Sequence, residues 1–128
     1  MASYEEWLKR ARSSLELAKT SNNELVFYED LCFQLQQAVE KGIKGLLIYY
    51  GVEPEKTHNL SILLLDLEKH TEIDNEIKEI LKLQNFVVQT RYPGEYAQVE
   101  KEEYDQSIII AEKCLKWVEG KIKPYFGQ

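Results

Sequence analysis

Three short stretches carry residues whose types and spacing could do chemistry. The first is Gln36-Gln37-Ala38-Val39-Glu40-Lys41, with Lys44 after it. On a helix, Gln37, Lys41 and Lys44 stand at i, i+4 and i+7 and share one face, while Gln36 and Glu40 share the adjacent one. A polar strip on an otherwise apolar helix is either a solvated stripe closed by a Glu40–Lys44 pair or the wall of a cleft that donates to an anion. The second stretch is Pro54-Glu55-Lys56-Thr57-His58-Asn59-Leu60. It puts His58 at a predicted helix start, where outward N–H groups favour an anion; the imidazole serves there in a capping network or at a site. The third is Arg91-Tyr92-Pro93, a guanidinium beside an aromatic ring and a rigid turn. Arginine binds phosphate or carboxylate bidentately, and it equally suits pairing with an acid of the same bundle or of a second subunit. His70 sits near a predicted helix end, where an imidazolium suits the dipole and needs no further role.

Other chemistries lack their residues. There is no Ser/His/Asp order with local support, no glycine-rich phosphate loop, no HExxH, and no Cys/His spacing for zinc. No residue is assigned as catalytic, and neither a metal nor a cofactor is expected. Cys32 and Cys114 are too few for a disulfide scaffold and read as reduced thiols in an intracellular core. The N-terminal stretch Met1-Ala2-Ser3-Tyr4-Glu5-Glu6 is acidic and amphipathic, unlike a signal peptide. The longest uncharged apolar stretch, Gly45 to Val52, is far short of the roughly 20 residues that span a bilayer. The expectation is therefore a cytoplasmic protein without a membrane partner. With 16 basic and 22 acidic side chains, the net charge is −6. That gives no blanket attraction to nucleic acid or anionic lipid, so any phosphate binding must come from a local arrangement.

The elements that position these residues read as helices. At 128 residues the chain is expected to be a single domain over 1–128. Residues 4–20 place Tyr4, Trp7, Leu8, Ala11, Leu15 and Ala18 on one stripe, with Ser3 and Glu6 as a capping box. Residues 26–50 form the longest helix, with stripes through Leu31, Leu35, Ala38, Gly42, Leu46 and Tyr49 and through Cys32, Val39, Ile43, Leu47 and Tyr50. Gly42 and Gly45 inside it each cost up to about 1 kcal/mol, which predicts close approach of a neighbouring helix. Gly51 and Pro54 end it. A third helix starts at Thr57 or Asn59 with Leu60, Leu63, Leu64 and Leu67 inward. A fourth starts at Thr71 or Asp74 with Ile73, Ile77, Ile80, Leu81 and Val87 inward. Pro93-Gly94 signals a type II turn. The last helix runs from Lys101 to Lys121 with Tyr104, Ile108, Ala111, Leu115 and Val118 inward. Short links make neighbours antiparallel. The predicted fold is all-α, an up-and-down bundle of four long helices plus a short fifth.

These blocks together resemble the HEPN domain family. The likeness rests on the Trp7 helix, on Cys32-Phe33-Gln34-Leu35-Gln36-Gln37-Ala38-Val39-Glu40-Lys41-Gly42-Ile43-Lys44, on Thr57-His58-Asn59-Leu60 and on Thr90-Arg91-Tyr92-Pro93 before the last helix. The resemblance implies a helical bundle that forms a homodimer with a cleft between subunits. It also implies a nucleotidyltransferase-type protein partner, in a toxin–antitoxin pair. Ribonuclease members carry Arg-x4–6-His. Here the positions four to six intervening residues after Arg91 hold Tyr96, Ala97 and Gln98, and tyrosine, with pKa about 10, is a poor base. The expectation is a non-catalytic module that binds a nucleotide or RNA through Arg91, Tyr92, Lys41, Gln37, His58 and Tyr96. The alternatives are a ribonuclease toxin with a degenerate motif, or a pure dimeric assembly protein.

Overall fold

In the computed structural model, which describes residues 2–20, 23–87 and 98–122, those residues form five helical elements and no strand. The four α-helices are α1 (Tyr4–Lys19), α2 (Tyr28–Tyr49), α3 (Leu60–Glu68) and α4 (Lys101–Lys121); a 3₁₀ segment, Lys78–Val87, lies between the last two. Ser3 caps α1 as expected, its Oγ accepting from the Glu6 amide at 3.2 Å, while the Glu6 carboxylate reaches Arg10. Asn59, not Thr57, caps α3, accepting from the Ser61 and Ile62 amides. The span of α4 is as predicted. The predicted Pro93-Gly94 turn lies outside the described residues.

The long helix α2 touches every other element, which explains its wide apolar arc. Cross-contacts fix the directions. Gly45 near the end of α2 meets Tyr4, Trp7 and Leu8 at the start of α1, so these two helices are antiparallel. Tyr28 packs on Tyr104, and Gly42 faces Leu115 and Val118, so α4 runs parallel to α2. Arg12 pairs with Glu119 and Lys19 with Glu112, both at 2.7 Å, which sets α4 antiparallel to α1. The start of α3 meets the end of the 3₁₀ segment through Gln84. Both cysteines are free and buried, and burial pushes each thiol up to about 12, so neither is a ready nucleophile.

The fourth predicted helix differs from expectation. It is a 3₁₀ segment, and the inward set is Ile77, Ile80 and Leu83 with Phe86 packed against the core, while Leu81 is exposed. The reason is pitch. At three residues per turn, i and i+3 eclipse, so 77, 80, 83 and 86 line up and 81 turns outward. The Val87 side chain is outside those described. Tyr49, expected inward, is at the surface, in edge contact with Tyr4 and Tyr50.

The two glycines of α2 mark close approaches. A Cβ on Gly42 would stand 2.6 Å from Leu115 Cδ2, and one on Gly45 would stand 3.1 Å from Trp7 Cβ. Gly42→Val should therefore destabilise the protein by about 1–3 kcal/mol through overpacking. Gly120→Ala, where nothing lies within 4 Å, should gain a few tenths of a kcal/mol from helix propensity. Urea unfolding of the two variants should move the midpoint in opposite directions.

Candidate functional site

The polar strip of α2 is not a solvated stripe. Gln36, Glu40 and Lys44 are 0%, 3% and 7% exposed. At 100° per residue they sweep one arc of the helix, and each is met by a partner from a different direction. Toward the 54–59 segment, Glu40 receives His58. The ring Nδ1 is 3.0 Å from Glu40 Oε1 and 3.1 Å from Oε2. Along α2, Lys44 Nζ donates to Glu40 Oε2 at 3.0 Å and Gln36 Nε2 to Oε1 at 3.1 Å. Toward α1, the Lys44 ammonium stands 5.7 Å from the Trp7 ring centre, a cation–π contact. A buried carboxylate is tolerable only when its oxygens are satisfied, and here both are.

The backbone of His58 is held as firmly as its ring. Its carbonyl accepts from Gln84 Nε2 at 3.1 Å and Gln36 Nε2 at 3.4 Å. Gln84 Oε1 in turn accepts from the Leu60 amide at 2.7 Å. A glutamine of the 3₁₀ segment thus satisfies the first turn of α3 and fixes the residue before its cap. The result is an imidazole anchored at its root and at Nδ1, yet 65% exposed along its side chain.

On the other flank of the strip, Lys41 Nζ donates to Ser14 Oγ of α1 at 3.0 Å. Burial holds this ammonium below the usual lysine range; the Arg10 guanidinium opposes it further and Glu40 partly offsets both. Arg10 itself reaches Glu6 at 3.6 Å on the exposed side. Gln37 Nε2 donates to Gln36 Oε1 at 2.7 Å. The polar strip of α2 is therefore bordered on the α1 side by Lys41, held on Ser14 and repelled by Arg10, and on the 54–59 side by His58. Such a set can donate hydrogen bonds to an oxyanion.

Of the residues singled out from sequence, Lys41, Gln37 and His58 share this strip, while Arg91, Tyr92 and Tyr96 lie outside the described residues. His70 is elsewhere, stacked on Tyr50 with ring centres 5.9 Å apart. Sequence reasoning missed Arg10, Ser14, Trp7 and Gln84 as neighbours of the strip. Ser14 had one legible signal, a polar residue three after Ala11 and one before Leu15 on an apolar arc, and it is 5% exposed. Among the described residues no cluster of three or more His, Cys, Asp or Glu side chains could hold a metal ion, and no helix is long and apolar enough to cross a membrane.

A helical bundle whose longest helix carries a buried polar strip, flanked by the Trp7 helix and the Thr-His-Asn-Leu turn, defines the class. The HEPN domain pattern matches residues 4–121, and the chain belongs to the HEPN domain family. It is similar to a protein of Methanocaldococcus jannaschii named "Putative toxin MJ1304", 27% identical over 140 aligned residues that cover 94% of this chain and 89% of the relative. Two crystal structures share the fold. ST0689, an archaeal HEPN homologue, is 32% identical with a TM-score of 0.76, over 96% of this chain and all of that one. TT1696 from Thermus thermophilus is 30% identical with a TM-score of 0.81, over 95% of this chain and all of that one.

The Glu40 network makes a direct stability prediction. Glu40→Leu leaves the Lys44 ammonium buried without its counter-charge and should cost about 3–5 kcal/mol. The double variant Glu40→Leu with Lys44→Met should recover much of that loss. Urea unfolding at pH 7 measures both; equal stabilities for the single and double variants would refute the ion-pair account.

Proposed function

We propose that this chain is a toxin-like HEPN module that binds the phosphate of a nucleotide or RNA along the polar strip of α2 without cleaving it. It acts as a homodimer beside a nucleotidyltransferase-type protein. The observation that supports this reading is Lys41. The fold holds an ammonium half-buried against Ser14 with a second cation, Arg10, opposing it. Like charges brought together and desolvated are unfavourable in the empty protein, and an arriving anion relieves both effects. One of the three Lys41 donors goes to Ser14. In this reading Arg91 adds a bidentate phosphate donor, and Tyr92 and Tyr96 offer faces on which a base stacks. The relative named "Putative toxin MJ1304" supports the toxin-like part of this reading. With a net charge of −6 the chain has no blanket attraction to nucleic acid, so the contact in this reading is a local one.

Calorimetry with adenosine monophosphate and with a short single-stranded RNA tests the reading. The expected result is micromolar binding, lost by at least about tenfold in Lys41→Gln and in Arg91→Ala. The slope of log K against log salt should be shallower by about one in each variant. Absence of heat in the wild type would overturn the binding reading. An RNA left intact after long incubation supports the module over a ribonuclease, and cleavage that Arg91→Ala abolishes would reverse that choice. Sedimentation should give a dimer.

A further inference from the structure

We propose that His58 is a proton-gated hydrogen-bond donor to an RNA phosphate, gated because Glu40 fixes the tautomer of its ring. This rests on the phosphate-binding reading of the same strip. The starting point is Glu40, which is 3% exposed and paired with the Lys44 ammonium at 3.0 Å. As a carboxylate it only accepts hydrogen bonds. His58 Nδ1 lies 3.0 and 3.1 Å from its two oxygens, so Nδ1 must carry the hydrogen. The His58 carbonyl is held by Gln36 and Gln84, which fixes the backbone from which the ring reaches Glu40.

The consequence falls on Nε2, on the side of the ring away from Glu40. A neutral histidine on an ordinary surface can move its hydrogen to whichever nitrogen meets an acceptor. His58 cannot do so without turning an Nδ1 lone pair onto the two Glu40 oxygens. When neutral, it presents a lone pair at Nε2, which repels a phosphate oxygen. When protonated, it presents Nε2–H with a positive charge balanced from behind by Glu40. The same exposed atom thus changes from acceptor to donor on taking up one proton. The charged groups bearing on the ring are Glu40 and, behind it, Lys44 from α2. Gln36 of α2 and Gln84 of the 3₁₀ segment are neutral, and the ring's own segment carries exposed Glu55 and Lys56. Among the described residues, Glu40 is the group bonded to the ring, and it is bonded at Nδ1.

The probe is an oligouridine of about six nucleotides with hydroxyl ends, whose diester phosphates do not titrate between pH 5.5 and 8. Wild-type affinity should fall by about tenfold or more from pH 5.5 to pH 8, the loss of one charge-assisted hydrogen bond. His58→Gln, whose amide donates at both pH values, should bind with little pH dependence. His58→Ala should bind weakly and with the same small slope. Both substitutions are at an exposed side chain, so the variants should fold. Nitrogen-15 NMR of the neutral ring should show hydrogen on Nδ1. A wild-type slope equal to that of His58→Ala, or a neutral ring with hydrogen on Nε2, would overturn this proposal alone. Failure of every variant to bind at any pH would overturn it together with the binding reading.

Discussion

The site depends on one buried carboxylate. Moving Glu40 out of water costs several kcal/mol, and its attraction to a partner offsets this only when the remaining oxygen lone pairs are also used. Here they are used by Lys44, Gln36 and His58. The constraint then spreads outward. Gln36 is shared with the His58 carbonyl, Gln84 of the 3₁₀ segment joins at the same carbonyl, and Gln84 also closes the first turn of α3. A carboxylate on α2 therefore fixes the 54–59 segment, the start of α3 and the end of the 3₁₀ segment relative to one another. Apolar side chains of the same volume would hold these elements together at least as well. What they would not supply is an exposed imidazole of fixed orientation.

The two sides of α2 divide the work. Toward α4 the contact is apolar and close, with Gly42 admitting Leu115 and Val118 and Ala38, Val39 and Cys114 fully buried. Toward α1 the contact is mixed: Gly45 admits Trp7 and Leu8, but one turn earlier Lys41 meets Ser14. Rigidity comes from the first side. That lets the second side carry polar groups whose burial is unfavourable in the empty protein, a common arrangement where a scaffold must hold a binding set in place.

The fold was largely legible because helical periodicity is a local property. The stripes of α1, α2 and α4 are repeated four or more times, and the cap at Ser3 and the glycine at Gly51, with φ +83°, are local signals. The 3₁₀ segment was misread for a physical reason: Ile77 and Ile80 suit either pitch, and only Leu81 against Leu83 separates them. The site was half legible. The polar strip stood out on α2, but its two readings diverged on burial, which sequence does not carry. Glu40 and His58 are 18 residues apart in chain, and no spacing rule joins a helix interior to a following turn. Lys41 with Ser14, 27 residues apart, was equally hidden, because the register of α1 on α2 is set by the glycine contacts near Trp7.

An acidic chain can still hold a focused anion site, and the reason is distance. The acids that follow the Arg91 stretch include Glu102 and Glu103 in the first turn of α4. That end of α4 lies against the start of α2, where Tyr28 packs on Tyr104. Lys41 is thirteen residues further along α2, or about 20 Å at 1.5 Å per residue. At physiological ionic strength the screening length is about 8 Å. Over more than two such lengths Glu102 and Glu103 contribute little to the potential at Lys41, and the later acids Glu112 and Glu119 are paired with Lys19 and Arg12. The local balance there is Arg10, Lys41 and Lys44 against Glu6 and Glu40, and Glu40 is already committed to Lys44 and His58. Within reach of a bound phosphate the field is therefore set by Lys41 and Arg10, with His58 added when it carries its second proton, and the total charge of the chain is the wrong quantity for judging what the strip can bind.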